Sequence, residues 1–210
     1  MQLWYVRMRQ GPGGWNFTKK IWDAGYVGIM FGAWAVEELL EETGLLDTSK
    51  LNVAWFQGLS QYPTPWFSQY HLGQVRTFLL EVRVGDGVIV YFDEALHVGT
   101  VQSGFLTYPG NFGDERIKCR PVGLCRSFGL RDLPSSFRLL RLTGQQTIQK
   151  IKSYSKQAAL LFQQLDAARV RKQLETVGNE VLLAMLSPQQ WEKLCEEYLR
   201  DRLGYRSLLL

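Results

Sequence analysis

The side chains that most often catalyse reactions are few in this 210-residue chain, and their spacing argues against several kinds of site. Cys119, Cys125 and Cys195 lack the CxxC spacing of a zinc site, and their odd number argues against a disulfide framework. His71 and His97 have no HxxxH partner, and no GxSxG motif presents a nucleophilic serine. The sequence predicts no catalytic or metal-binding residue, although a Ser-His-Asp arrangement stays open. We interpret His97 as a strand residue with a structural role.

Positive charge is concentrated in the middle of the chain, where a polyanion would bind. The formal net charge is +4 overall, but it is +9 over residues 113–172 and negative on either side. Alternation along a strand places Arg116, Lys118 and Arg120 on one face, which is either a phosphate-binding face or a charged edge strand. Lys and Arg contacts to phosphate dominate nucleic-acid affinity. The residues that we predict to contact a nucleic-acid backbone are Lys19, Lys20, Arg116, Lys118, Arg120 and Arg126.

Aromatic residues are concentrated in the first half of the chain. Twenty of the 27 Phe, Trp and Tyr residues lie in residues 1–112. A tryptophan-rich core explains most of them, but some could line a pocket that stacks on a nucleobase. Trp15 and Trp66 stand beside Gly and Pro in predicted loops, where a core role is less natural. The candidate base-pocket residues are Trp15, Phe31, Trp34, Trp55 and Trp66.

The elements that must position these residues are short strands with a few helices between them, which predicts an α+β fold built on a mixed β-barrel. Strands are predicted at residues 3–9, 26–31, 88–92, 97–102, 117–122 and 137–142, with a turn at Asp93 and Glu94. Helices are predicted at residues 33–43 and 75–82, and residues 51–70 are predicted to form a loop with a short helix.

The composition and the spacing of apolar residues change at residue 147. Residues 147–176 contain no Pro or Gly, and their apolar residues recur at helical spacing, which predicts a long amphipathic helix. Ser187 and Pro188 form an N-cap signature for a short C-terminal helix over residues 188–203. Residues 205–210 then have the pattern of a strand that has no partner after it, so we expect this chain to be a piece of a longer protein.

Two parts of the sequence resemble known families. The segment LSPQQWEKLCEEYLRDRLGYR resembles the opening helix of the Mrr-type restriction endonuclease domain, with Trp191 and Glu192 at that family's Phe-Glu positions. The pieces LWYVRM, GYVGIMFG, VRVGDGVIVYF, HVGTV, IKCRPVGLCRSFGLRDLPSSFR and QTIQKI follow the order found in PUA-like (EVE-like) domains. This resemblance implies a base-recognition domain at 1–146, a helical linker at 147–178 and the start of a truncated nuclease domain at 179–210.

PUA-like domains of such restriction enzymes flip out and read modified bases. The resemblance therefore implies a DNA-binding specificity domain of a restriction system, with double-stranded DNA carrying a modified, flipped base as its partner. The sequence departs from the family at Met30-Phe31-Gly32, where the second strand usually ends in Gly-Trp-Gly. The family's nuclease motif, an acidic residue followed by Glu/Asp-x-Lys, would hold Mg²⁺, but the sequence ends before it. We expect no cofactor in this chain, and Mg²⁺ only in a complete nuclease domain.

Other functions stay open beside this one. The same fold could serve as an RNA-binding PUA-like module, since fold does not decide function. A module of another class, structural or oligomeric, would use residues 147–176 to pair two chains as a homodimer. No apolar run approaches the ~20 residues of a membrane helix, and the first residues lack the apolar core of a signal peptide. The sequence thus predicts a cytoplasmic protein without a membrane partner.

Overall fold

The computed structural model describes residues 1–8, 15–59, 65–110, 116–129 and 147–151, together with residues 133, 161, 162 and 195. The chain divides into two compact units, and most of the described residues belong to the first. The first unit comprises Met1–Ser127 and Gln146–Ile151, and the second comprises Phe128–Gln145 and Lys152–Leu210.

The described part of the chain is mainly strands, with short helices in the connections. The strands are β1 (Leu3–Val6), β2 (Tyr26–Met30), β3 (Gly87–Phe92), β4 (Ala95–Val101), β5 (Leu106–Thr107), β6 (Ile117–Gly129) and β7 (Ile148–Lys150). The helices are α1 (Trp15–Asp23), α2 (Val53–Gln57) and α3 (Gln69–Arg76), with 3-10 turns at Val36–Leu39 and Thr48–Lys50 and a π-helical turn at Thr77–Glu81.

Within the described residues, the seven strands form one curled sheet in the order β2-β6-β4-β3-β1-β7, and β5 pairs with β6. Strands β1 and β3 run parallel, whereas β1–β7, β2–β6, β3–β4 and β5–β6 are antiparallel. The predicted α+β class is confirmed, and the curled sheet is consistent with the predicted barrel. Among the described residues, no helix is both long and apolar enough to cross a membrane.

A hairpin turn and a buried carboxylate hold the central strands of this sheet together. Asp93 and Glu94 join β3 to β4, and both have positive φ angles, 47° and 56°, as a tight hairpin turn between twisted strands requires. The Asp86 carboxylate then ties the start of β3 to β1, because it accepts hydrogen bonds from the Gln2 amide, the Trp4 indole and the Arg83 amide. Burial alone would raise the pKa of Asp86, but these three donors lower it below its usual value.

The sequence located most strands but misplaced three other elements. The strands predicted at residues 3–9, 26–31, 88–92, 97–102 and 117–122 correspond to β1, β2, β3, β4 and β6, although β1 ends at Val6 and β6 runs on to residue 129. The helix predicted over 33–43 is wrong, because Gly44, with a φ of 78°, and a bridge between Leu40 and Leu46 reverse the chain after one 3-10 turn. Helix α1 was not predicted, because the glycine cluster before it indicated a loop at Trp15.

The segment predicted as a long helix begins as a strand. Residues 148–150 form β7, which pairs antiparallel with β1 and buries Ile148, so a helix over 147–176 is wrong at its first residues. The strand predicted at 137–142 lies outside the described residues, and so do nearly all of the rest of that helix and of the C-terminal helix at 188–203. The homodimer that the long helix could form stays a prediction.

Candidate functional site

Four of the five predicted base-pocket residues lie in one continuous group of aromatic rings. Successive ring centroids in this group are between 4.3 and 6.2 Å apart. The fifth residue, Trp15, begins α1, and its side chain lies outside the described residues. We call this group the aromatic cluster; its members are Phe31, Trp34, Trp55, Phe56, Trp66, Phe67, Tyr70 and His71.

The inner part of the aromatic cluster belongs to the hydrophobic core. Trp34, Phe56 and Phe67 are buried, and Phe56 stacks on Phe67 with centroids 4.3 Å apart. The Trp34 indole N–H donates to the Phe31 carbonyl, which satisfies its one polar atom inside the core. Phe31 is also buried. The prediction that Phe31 and Trp34 face a pocket is therefore corrected, because a base can reach neither ring in this structure.

The outer part of the aromatic cluster reaches the surface. Trp66 is 52% exposed and Tyr70 is 45% exposed, and both pack edge-on against His71 with centroids 5.1 and 5.5 Å away. His71 and Trp55 are half-buried. Large aromatic rings with this much exposure are unusual on a protein surface and offer faces on which a flat ligand can stack. Trp55 and Trp66 are thus the predicted residues that keep access to solvent.

Local hydrogen bonds hold the outer rings in place. The Ser68 amide donates to His71 Nδ1 at 3.1 Å, and Ser68 Oγ lies 2.9 Å from the same nitrogen. Because Nδ1 accepts, the neutral ring carries its hydrogen on Nε2. Asn52 caps α2, because its Oδ1 accepts from the Trp55 amide at 2.8 Å.

Lys118 lies under the aromatic cluster and not on the surface. Its side chain is fully buried, and its Nζ donates to the Gly32 carbonyl at 2.6 Å and to the Arg116 carbonyl at 2.8 Å. The same Nζ stands 3.9 Å from the centre of the Trp34 ring, in a cation–π contact. This placement removes Lys118 from the predicted phosphate-binding face and makes it a link between β6 and the cluster.

Arg120, two residues further along β6, is buried in the same way. Its Nε and Nη2 donate to the carbonyls of Phe78 and Leu79, at 3.1 and 2.9 Å, in the π-helical turn after α3. Cations are favoured at helix C-termini, where carbonyls lack helical partners. Burial lowers the pKa of Arg120 to about 10, so the side chain keeps its charge at neutral pH. Arg120 therefore also leaves the predicted phosphate-binding face.

The other four predicted backbone-contacting residues are at least partly at the surface. Lys19, Lys20 and Arg116 are exposed, and Arg126 is half-buried. Lys19 Nζ lies 2.8 Å from an Asp23 carboxylate oxygen, and this hydrogen bond raises the pKa of Lys19. The predicted row of three cations therefore reduces to Arg116, because the charged groups of Lys118 and Arg120 donate to backbone carbonyls in the core.

The sequence missed half of the aromatic cluster. Phe56, Phe67, Tyr70 and His71 were not predicted as site residues, although the run PWFSQYH over 65–71 places three of them together beside Trp66. Among the described residues, no group of three or more His, Cys, Asp or Glu could hold a metal ion. Comparison of the chain with protein-family models, curated proteins and solved structures found no match.

Proposed function

We propose that this chain binds duplex DNA and holds one extruded, modified base against the outer rings of the aromatic cluster. Trp66 and Tyr70 supply the stacking faces, with Trp55 and His71 beside them. The single observation that carries this proposal is the exposure of two large side chains, Trp66 and Tyr70. About half of each is exposed, and both belong to a cluster whose inner rings are buried. A rigid aromatic platform loses little conformational entropy when a ligand stacks on it.

The free energy gained when a base stacks on aromatic rings is comparable to the free energy that its extrusion costs. Extruding a base from a duplex costs a few kcal/mol, and less for a base that is already poorly paired. Stacking on an aromatic side chain returns about 1–3 kcal/mol per base. Two rings that enclose one base therefore offset most of the extrusion, and contacts to phosphate supply the remaining affinity. The surface cations Lys20, Arg116 and Arg126 are the proposed phosphate contacts.

The choice of DNA over RNA rests on the resemblance of the sequence to restriction enzymes. The segment over residues 186–206 resembles the helix that opens an Mrr-type nuclease domain, and such a domain acts on DNA. We infer that the chain serves as the specificity module of a modification-dependent restriction endonuclease in the cytoplasm. The nuclease chemistry itself would require residues beyond this chain.

The test compares duplexes that differ in a single base. Fluorescence anisotropy is measured with otherwise identical duplexes that contain cytosine, 5-methylcytosine, adenine or N6-methyladenine at one position, at about 50 and about 200 mM salt. We expect tighter binding of one modified duplex that persists at the higher salt. Trp66→Ala should weaken that preference by about fivefold or more, since stacking is worth ~1–3 kcal/mol.

Leu45→Ala is the matched control, because Leu45 is an exposed apolar residue outside the aromatic cluster. It should leave binding of every duplex unchanged. Equal binding of all duplexes that disappears at higher salt would overturn base recognition and leave only phosphate contacts. Tighter binding of a single-stranded RNA of the same sequence would favour the RNA-binding module instead.

A further inference from the structure

A serine and a histidine of the sheet form a pair that base recognition does not use. His97 lies on β4 and Ser127 lies on β6, and Ser127 Oγ stands 2.8 Å from His97 Nδ1. The other ring nitrogen, Nε2, lies 3.2 Å from the Phe92 carbonyl oxygen. Since a carbonyl can only accept, Nε2 carries the hydrogen of the neutral ring, and Nδ1 accepts from the Ser127 hydroxyl.

The surroundings of His97 keep it in this state. His97 is 8% exposed; its ring stacks on Phe92 with centroids 3.5 Å apart and an angle of 6°, and makes a T-shaped contact with Trp22 at 5.9 Å. Burial lowers the pKa of His97, a contribution that outweighs the opposing hydrogen bond to the Phe92 carbonyl and the charge of Asp93. The imidazole is thus neutral at pH 7 and can take a proton from Ser127, which is an exposed residue.

Two charged side chains of α1 also act on His97, besides Asp93 of the hairpin turn. Lys19 disfavours the imidazolium ion, whereas Asp23 favours it. These two residues form an ion pair with each other at 2.8 Å, so their effects on His97 oppose one another. Burial therefore remains the main influence on the ring.

We propose that Ser127 is a nucleophile toward activated acyl groups and that His97 is its general base. The hydroxyl, the imidazole and an orienting acceptor on the far nitrogen stand in the order that defines an activated serine. The orienting acceptor here is the Phe92 carbonyl and not a carboxylate. A neutral carbonyl stabilises the imidazolium ion less than a carboxylate does, so the substrate class is esters with a good leaving group, such as aryl esters.

The reaction balances within this pair. Ser127 Oγ attacks the carbonyl carbon of the ester while its proton passes to His97 Nδ1, and the bond from that carbon to the aryl oxygen breaks. The imidazolium proton then goes to the departing phenolate. In a second step water attacks the acyl carbon while one of its protons passes to His97 Nδ1. The bond from that carbon to Ser127 Oγ then breaks, the carboxylic acid leaves, and the imidazolium returns the proton to Oγ.

The test uses an alkyl fluorophosphonate, which gives a stable adduct when Ser127 Oγ attacks phosphorus and fluoride departs. The full chain is labelled, digested with trypsin and analysed by mass spectrometry. Cleavage after Arg126 and Arg131 isolates Ser127 in the peptide 127–131, apart from Cys125. We expect the adduct in that peptide to form about tenfold or more faster than any adduct at Ser103, an exposed serine that follows β4.

Three variants and a pH profile test whether Ser127 and His97 act as proposed. Ser127→Ala should abolish the adduct and the hydrolysis of p-nitrophenyl acetate, and Ser103→Ala should change neither. His97→Gln should slow labelling about tenfold or more. If that variant does not fold, the pH profile of the unaltered chain decides: labelling should follow deprotonation of a histidine with a pKa below the usual 6.5 and be constant at neutral pH. Equal labelling of Ser127 and Ser103, or a rate that climbs steadily to alkaline pH, would overturn the proposal.

Discussion

The two histidines of the chain each accept a hydrogen bond at Nδ1 from a serine, yet they belong to opposite kinds of site. His97 lies between two strands, stacks flat on one ring and has its second nitrogen fixed by a carbonyl. His71 lies in the first turn of α3 and meets four rings, mostly edge-on, at the border between core and solvent. The first arrangement fixes one nitrogen for proton transfer, whereas the second spreads apolar ring faces for a ligand to cover.

The difference follows from what positions each ring. Neighbouring strands hold Ser127 and His97 through the backbone pairing of the sheet, which leaves little freedom for either side chain. The His71 region is built from short helices and connections, and its order depends on side chains that pack on Phe56 and Phe67. The aromatic cluster should therefore respond strongly to changes in its inner rings, and the His97 pair should respond to pH.

The largest effect is expected from Phe56→Ala in the middle of the aromatic cluster. Phe56 is fully buried and contacts Trp34, Trp55 and Phe67, so its removal leaves a cavity between the inner and outer rings. Such substitutions lower the free energy of unfolding by ~3–5 kcal/mol. Urea unfolding followed by circular dichroism measures it, with Leu80→Ala on an exposed residue as the control. A loss below about 1 kcal/mol would mean that the cluster does not depend on this ring.

A smaller loss is expected from Lys118→Met, which keeps the long stem and removes the ammonium group. The Gly32 and Arg116 carbonyls then lose a donor, and Trp34 loses its cation–π contact. An unsatisfied buried carbonyl costs about 1–3 kcal/mol of unfolding free energy. The loss is measured by urea unfolding.

Lys20→Met is the matched control, because it makes the same change at an exposed lysine and should alter stability by less than about 0.5 kcal/mol. If Lys118→Met were more stable than the unaltered chain, the desolvation of the ammonium group would outweigh its contacts.

The strands could be predicted from the sequence because alternation and turn residues are local signals. Val88–Phe92, the Asp93-Glu94 turn and the returning strand carry this pattern within fifteen residues, and the structure has the hairpin at that place. The helix predicted at 33–43 is wrong because one 3-10 turn buries Val36 and Leu39, and the same pattern of apolar residues is compatible with either structure. A local pattern cannot decide between these two outcomes, since packing on distant residues settles them.

The candidate site shows the same limit more clearly. Composition placed tryptophans near a pocket but could not say which ring faces solvent, and Trp34 and Trp66 turned out to lie at opposite ends of one cluster. Alternation gave Lys118 and Arg120 a common face, but the carbonyls that receive them come from residues at least 40 positions away in sequence, apart from Arg116 and Ser103. The charge of a side chain predicts a need for partners and not whether those partners are water, phosphate or carbonyls.

The pH dependence of stability should separate the two histidines. Because burial lowers the pKa of His97 in the folded chain, the unfolded chain takes up a proton first as the pH falls below about 6.5. The free energy of unfolding should therefore be constant above that pH and decrease below it, until the folded ring is protonated too. His97→Gln should lack this decrease, and His71→Gln should keep it. Urea midpoints between pH 5 and 8 measure the effect, and a decrease that persists in His97→Gln would assign it to another group.

The smallest effect on stability is expected from Trp66→Ala, and the contrast with Trp22→Ala makes it informative. Trp22 is buried against Phe92 and His97, so its loss should cost ~3–5 kcal/mol of unfolding free energy. Trp66 is half-exposed, and its ring is tilted against Phe67 and perpendicular to His71, so its loss should cost less than about 0.5 kcal/mol. Both losses are measured by urea unfolding. Similar losses of unfolding free energy in the two variants would mean that Trp66 is a structural residue. That result would contradict the proposal that the outer rings form a binding surface. A large ring that contributes almost nothing to stability remains available to a ligand, which is the property that a stacking site requires.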